Sequence, residues 1–136
     1  MTHMLDTNAV SALMKADAAV VRRLQGTNRA WVKIPQPVIA EIAYGIERLP
    51  RSRRRQRLQE RFDLICAEIA RAQWTDAVSE RFGLIKAALE RKGQRVEDFD
   101  AAIAAHALAE EATLVTANYD DMTRIPGLTT EDWAAL

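Results

Sequence analysis

The stretch Met4-Leu5-Asp6-Thr7-Asn8-Ala9-Val10-Ser11-Ala12-Leu13 ends a short apolar strand on a carboxylate and passes at once into a helix. That order decides the fold class, because an acid at the carboxyl end of a strand sits where open α/β sheets gather ligands, in the crevice beyond the strand ends. Two more segments set one acid in an apolar helical run: Pro37-Val38-Ile39-Ala40-Glu41-Ile42-Ala43-Tyr44-Gly45 and Phe99-Asp100-Ala101-Ala102-Ile103-Ala104-Ala105-His106-Ala107. Around them strands are expected at 2–5, 31–34, 113–116 and near 128–130, while 69–74 shows no clear period and reads as either helix end or strand. Helices are expected over 8–15, from Asp17 to Gly26, from Pro37 to near Pro50, over 52–70, from the N-cap Thr75 to Lys92, and from Asp98 to Glu110. Gly93 stops the fifth of these, and 118–121 reads as a polar loop. No Asn-Gly or Asp-Gly hairpin turn joins the strands, so the pattern is one of βαβ units. The expected fold is α/β, with a parallel or mostly parallel central sheet of four to five short strands flanked by helices.

A chain of 136 residues without repeats, low-complexity tracts or linkers reads as a single domain over 1–136. Its 19 basic and 19 acidic residues balance, so any grip on nucleic acid has to be local. Cys66 is the only cysteine, which excludes an internal disulfide, and with His3 and His106 it is too few for structural zinc. No apolar run approaches the roughly 18 residues of a membrane span. The N-terminus lacks the basic and apolar regions of a signal peptide, so a cytoplasmic protein with no membrane partner is expected.

Isolated acids in apolar runs point to metal chemistry. Mg²⁺ and Mn²⁺ take oxygen ligands and keep several waters, so two to four carboxylates gathered at strand ends suffice, and such an ion can activate water for phosphodiester hydrolysis. The plain alternative for each acid is a helix cap or a surface residue. Against it, Glu41 stands among Val38, Ile39, Ile42 and Ile46, where a carboxylate is costly unless paired or metal-bound. Asp100 lies similarly among Phe99, Ile103 and Ala104, although alanines surround both Asp98 and Asp100 and periodicity does not choose between them. His106, alone on an alanine-rich helix, reads as a packed and hydrogen-bonded side chain rather than a base. Gly45 marks close helix packing or a bend.

The order and spacing of these three acidic segments resemble the PIN-domain ribonucleases of the VapC toxin type, from Met4 to about Trp133. The resemblance implies a single PIN domain and a metal-dependent endoribonuclease using Mg²⁺ or Mn²⁺. It also implies the toxin half of a type II toxin–antitoxin pair, a homodimer silenced by a cognate VapB-type antitoxin in a higher assembly. It carries the metal role to Asp6, Glu41 and Asp100 and leaves Asp98 as N-cap. Asn118, two residues after Thr116, matches a position that holds an acid or Asn, and Asp121 could supply the charge that Asn118 lacks. Thr7, Asn8, Ser11 and Thr116 match polar positions that hold ligands or waters in place; Asn8 or Ser11 could instead simply cap the first helix.

The one strong charge asymmetry is the run Arg48, Arg51, Arg53, Arg54, Arg55, Arg57 and Arg61. It reads as a phosphate grip for RNA, centred on Arg53, Arg54 and Arg55, or as a solvated or partner-facing helix face. Trp31, Trp74 and Trp133 lie outside the run and read as core or interface residues. An aspartyl phosphohydrolase would need an acid where Asn8 stands, and would give Glu41 and Asp100 no role. The rival from another class is a non-catalytic PIN-like binding module, against which the intact acids argue; Mn²⁺ uptake distinguishes the two.

Overall fold

A computed structural model describes residues 1–134; the last two residues of the expected domain lie outside them. The elements are β1 (His3–Leu5), α1 (Thr7–Met14), α2 (Ala18–Gln25), a 3-10 turn (Arg29–Trp31), β2 (Val32–Pro35), α3 (Gln36–Glu47), α4 (Arg53–Glu68), β3 (Ala70–Ala72), α5 (Asp76–Arg91), α6 (Asp98–Ala109), β4 (Thr113–Val115), α7 (Tyr119–Met122) and β5 (Thr130–Glu131). The five strands make one parallel sheet in the order β3-β2-β1-β4-β5. Met4 at the centre faces Lys33 on one side and Leu114 on the other. Met4, Leu5, Val32, Ile34, Leu114 and Val115 are all buried, the near-continuous apolar reading expected of parallel strands covered on both faces. Among the described residues no helix is long and apolar enough to cross a membrane.

The topology creates the crevice. The chain moves from β1 out to β2 and β3, and α5 and α6 then carry it back past β1 to β4. Strand order therefore reverses between β1 and β4, and their carboxyl ends flank the switch point where such sheets bind ligands.

Several local signals act as the sequence suggests. Asp17 accepts the N–H groups of Ala19 and Val20, and Thr75 accepts that of Val78. Pro37 sits in the first turn of α3, where its missing N–H costs nothing, and Gly93 takes the left-handed conformation (φ +69°) just past α5.

Tertiary contacts decide what the sequence left open and correct other expectations. The 69–74 segment contains a strand, because β3 pairs with β2 from Lys33–Ala70 to Pro35–Ala72. Trp31 lies in the 3-10 turn that precedes β2, capped by Asn28. Residues 118–121 are not an open loop: Tyr119–Met122 wind into one helical turn, pinned by the buried side chains of Met122 and Ile125. Asp98 does not cap α6. Glu97 holds that position without a side-chain bond, while Asp98 reaches Lys86 of α5 at 2.6 Å. Neither Asn8 nor Ser11 caps α1; Asp6 itself does.

Gly45 marks no close approach, since a Cβ there would meet nothing within 4 Å. Gly45→Ala should therefore raise stability by about 0.5–1 kcal/mol through helix propensity, read as an increase in the denaturant midpoint. Trp133 is buried, its Nε1 donating to Glu131 at 3.1 Å, whereas Trp31 and Trp74 are each nearly half exposed.

His106 is fully buried, edge-on to Trp74 at 5.6 Å between ring centroids. Among the described residues neither ring nitrogen meets the protein partner expected of it, and burial holds its pKa below the usual histidine value. Protons then bind the unfolded chain first, so His106 lowers stability as pH falls through the ordinary histidine range. His106→Leu should remove that loss from the curve of melting temperature against pH and leave RNA cleavage intact.

Candidate active site

Asp6 leaves β1 with its backbone N–H on the Val115 carbonyl of β4 at 3.1 Å, so the end of one strand fixes the acid against the next. Its Oδ1 accepts the Ala9 N–H at 2.8 Å, closing the first turn of α1. The residue is only 4% exposed. That burial raises its pKa, opposed by the Thr116 hydroxyl and the N–H groups of Ala9 and Asn8, and the nearby Glu41 charge adds to the rise.

Glu41 comes from α3 and is only partly buried; Thr7 donates its hydroxyl to Glu41 Oε1 at 2.5 Å, tying α1 to α3 across the crevice. Asp100 enters from the first turn of α6. Its carboxyl is pushed up to about 6, first by burial and then by the charges of Glu41, Asp121 and Asp6, with Glu97 also contributing. Four acids from four segments thus act on one another. Among the described residues no three of them converge closely enough to ligate one ion unaided. Facing carboxylates at electrostatic range still fit Mg²⁺, which retains several waters and binds through one or two carboxylates.

The remaining polar positions differ in placement. Thr116 is buried at the end of β4 and its Oγ1 accepts the Asn118 N–H at 2.9 Å, setting the turn that presents Asn118 and α7. Asp121 pairs with Arg124 at 2.6 Å, a partner that sequence reasoning missed because a lone arginine in a loop carries no pattern. Ser11 lines the hollow beside Glu41, while Asn8 is exposed.

The arginine run divides. Arg55 donates to Glu47 at 2.8 Å and to the Leu49 carbonyl at 3.1 Å, bracing the α3–α4 connection. Arg61 donates to the Met14 carbonyl at 2.8 Å, and Arg48 lies over the Tyr44 ring. Arg53 and Arg55 line a hollow separate from the crevice, and of the Arg53–Arg55 triplet only Arg54 faces the side where Glu41 stands.

This fold is shared with known proteins. The sequence pattern of the PIN domain matches residues 3–128. The chain is 32% identical over 135 residues to Ribonuclease VapC2 of Rickettsia felis, covering 98% of both chains. It is 33% identical over 131 residues to the tRNA(fMet)-specific endonuclease VapC of Shigella flexneri, covering 96% of this chain and 97% of the relative. It superposes with a TM-score of 0.88, at 29% identity and covering 98% of this chain and 99% of the other, on a chain of the crystal structure of VapBC2 from Rickettsia felis bound to a DNA fragment from their promoter. The chain belongs to the PIN-domain family. Within that family it is a VapC-type ribonuclease, the toxin of a VapBC toxin–antitoxin system.

Proposed function

We propose that the chain hydrolyses RNA phosphodiester bonds with Mg²⁺ or Mn²⁺ held among Asp6, Glu41 and Asp100, with Asp121 as a further carboxylate, one or two of these acids binding the ion directly and the others through its retained waters. The observation that carries this reading is the Asp100 carboxyl, pushed up to about 6 by burial and by the charges of Glu41, Asp121, Asp6 and Glu97. Burial and mutual repulsion of this kind, in a crevice at strand ends, support a site that takes a cation. When bound, the ion neutralises phosphate oxygens and makes water nucleophilic near neutral pH. The residues of the chain do the positioning. Asp6 is immobilised by its cap, Thr7 orients Glu41, and Thr116 holds Asp6 and the Asn118 turn in register. The Asn118 amide can orient a water or a phosphate oxygen without adding charge. Asn8 and Ser11 support the same region as polar neighbours of α1.

The relative from Shigella flexneri, named for tRNA(fMet), makes tRNA the substrate class to test first. Sequencing RNA ends after incubating bulk tRNA with the protein and Mn²⁺ should reveal discrete metal-dependent cuts. Calorimetry should show Mn²⁺ uptake by the wild type that Asp100→Asn loses; full uptake by the variant would remove Asp100 from the site. By the same reading the protein acts in the cytoplasm as a homodimer, silenced by a VapB-type antitoxin, and light scattering of toxin alone and with antitoxin tests the assembly.

The fourth position is open to a direct comparison. If Asp121 serves the metal, Asp121→Asn should raise the Mn²⁺ concentration for half-maximal cleavage by about tenfold, and Asn118→Asp should gain nothing. If Asn118 marks the missing charge, Asn118→Asp should lower that concentration instead. No shift in either would leave Asp6, Glu41 and Asp100 as the acids that serve the metal, together with its retained waters.

A further inference from the structure

We propose that a cationic groove running from Glu41 between α1 and α4 is the track along which the RNA backbone enters the site, with Lys15, Arg54 and Arg57 as its phosphate partners. This rests on the ribonuclease reading above and extends it to the path of the substrate. Two adjoining hollows make the groove. The first, about 310 Å³, includes Thr7, Ser11 and Glu41 at one end and Lys15 and Arg54 at the other. The second, about 320 Å³, continues from Lys15, Arg54 and Leu58 to Arg57 and Arg61. One end of the track is therefore a carboxylate of the active site; Met14, Ile42, Ile46, Leu49 and Leu58 form an apolar floor, and the charged side chains along the remainder are all basic.

The charges in this groove are uncommitted. Lys15, Arg54 and Arg57 are exposed, and among the described residues none of them takes part in an ion pair. Of the other arginines, Arg23, Arg29, Arg55 and Arg124 are ion-paired, Arg61 donates to the Met14 carbonyl and Arg48 lies over the Tyr44 ring, while Arg51 and Arg53, also without ion pairs among the described residues, line the separate hollow. In a chain with no net charge, three unpaired cations facing one hollow form a local field for a polyanion. The walls are also fixed in place. The Arg61 bond ties α4 to the last turn of α1, and Arg55 braces the start of α4 against the end of α3. Arg54 and Arg57 stand one turn apart on α4, with Cβ atoms about 5–6 Å apart, so their guanidinium groups can meet neighbouring phosphates. An RNA strand also has to reach Glu41, which the groove does and the Arg53 side of α4 does not.

The test measures binding of fluorescently labelled bulk tRNA, in EDTA so that nothing is cut, across a salt series. The triple variant Lys15→Gln, Arg54→Gln, Arg57→Gln should bind at least about tenfold more weakly, with the salt slope shallower by roughly 0.7 per lost contact. Arg51→Gln with Arg53→Gln should match the wild type. Arg54→Lys with Arg57→Lys should keep the wild-type slope, which separates lost charge from lost folding. Equal weakening by the Arg51 and Arg53 pair would mean a diffuse field and overturn the proposal. So would undiminished RNA binding by the triple variant; if poly-L-glutamate binding were lost instead, the groove would belong to an acidic protein segment. A wild type that cuts tRNA while the triple variant binds it normally sinks the groove alone. A wild type that neither binds nor cuts tRNA overturns the groove together with the ribonuclease reading on which it rests.

Discussion

Asp6→Asn and Asp100→Asn should each lower RNA cleavage on the order of 10³-fold or more, and the double variant should lose little further, because groups that act as one unit are not additive. Asn at position 6 still accepts the Ala9 N–H, and Asn is as good an N-cap as Asp. The fold therefore survives and the loss reports chemistry. Asp98→Asn is the contrasting variant. Asp98 is exposed and, among the described residues, engages only Lys86, so the change should cost well under about 1 kcal/mol and leave activity close to wild type. Measured rates of tRNA cleavage at saturating Mn²⁺ check all four proteins. Loss of activity in Asp98→Asn with survival in Asp100→Asn would reverse the assignment within α6.

The second large effect is on stability and has the opposite sign to the effect on activity. Without metal, Asp100→Asn should melt at a higher temperature than the wild type at neutral pH. The sign follows from proton binding. With its carboxyl raised from the usual 3.8 to about 6 in the folded protein, Asp100 holds a proton there that the unfolded chain has already released. Stability therefore falls as pH rises from about 4 through about 6 and levels off above. The advantage of Asp100→Asn should be full above pH 6, shrink as pH falls, and vanish near pH 4. Taking the difference between variant and wild type cancels the opposing contribution of His106. Added Mn²⁺ should reverse the ranking, since a ligand at 100 times its Kd stabilises by about 2.7 kcal/mol and only the wild type retains the site. Cleavage should also fall as pH drops below about 6, where a proton competes with the cation for Asp100. Melting curves of both proteins across this range, with and without Mn²⁺, are the measurement; superimposable curves would show that Asp100 does not sit among facing charges.

The sequence alone determined what depends on neighbours within a helical turn or along one strand. The run from Met4 to Leu13 specifies strand, acid and helix in order; Asp17, Pro37, Thr75 and Gly93 set helix ends through backbone bonds or torsions confined to adjacent residues; and strands alternating with helices require a parallel sheet. It also singled out Asp6 and Glu41, because an acid in an apolar run is conspicuous wherever the run ends up, whereas the choice of Asp100 over Asp98 came from the resemblance to PIN-domain ribonucleases. Tertiary structure decided whatever depends on a partner far along the chain. Ala70–Ala72 is a strand only because β2 lies beside it, and Tyr119–Met122 coil only because Met122 and Ile125 find the core. On α6, buried almost all round by small alanines, no apolar stripe distinguishes Asp98 from Asp100; Lys86 claims the first, and the charges of Glu41, Asp121 and Asp6 surround the second. The arginine run looked uniform because charge has no periodic signature of its own. Glu47, the Leu49 carbonyl and the Met14 carbonyl occupy Arg55 and Arg61, leaving Arg54 and Arg57 beside Lys15, a neighbour some 40 residues earlier that only the packing of α1 on α4 brings near.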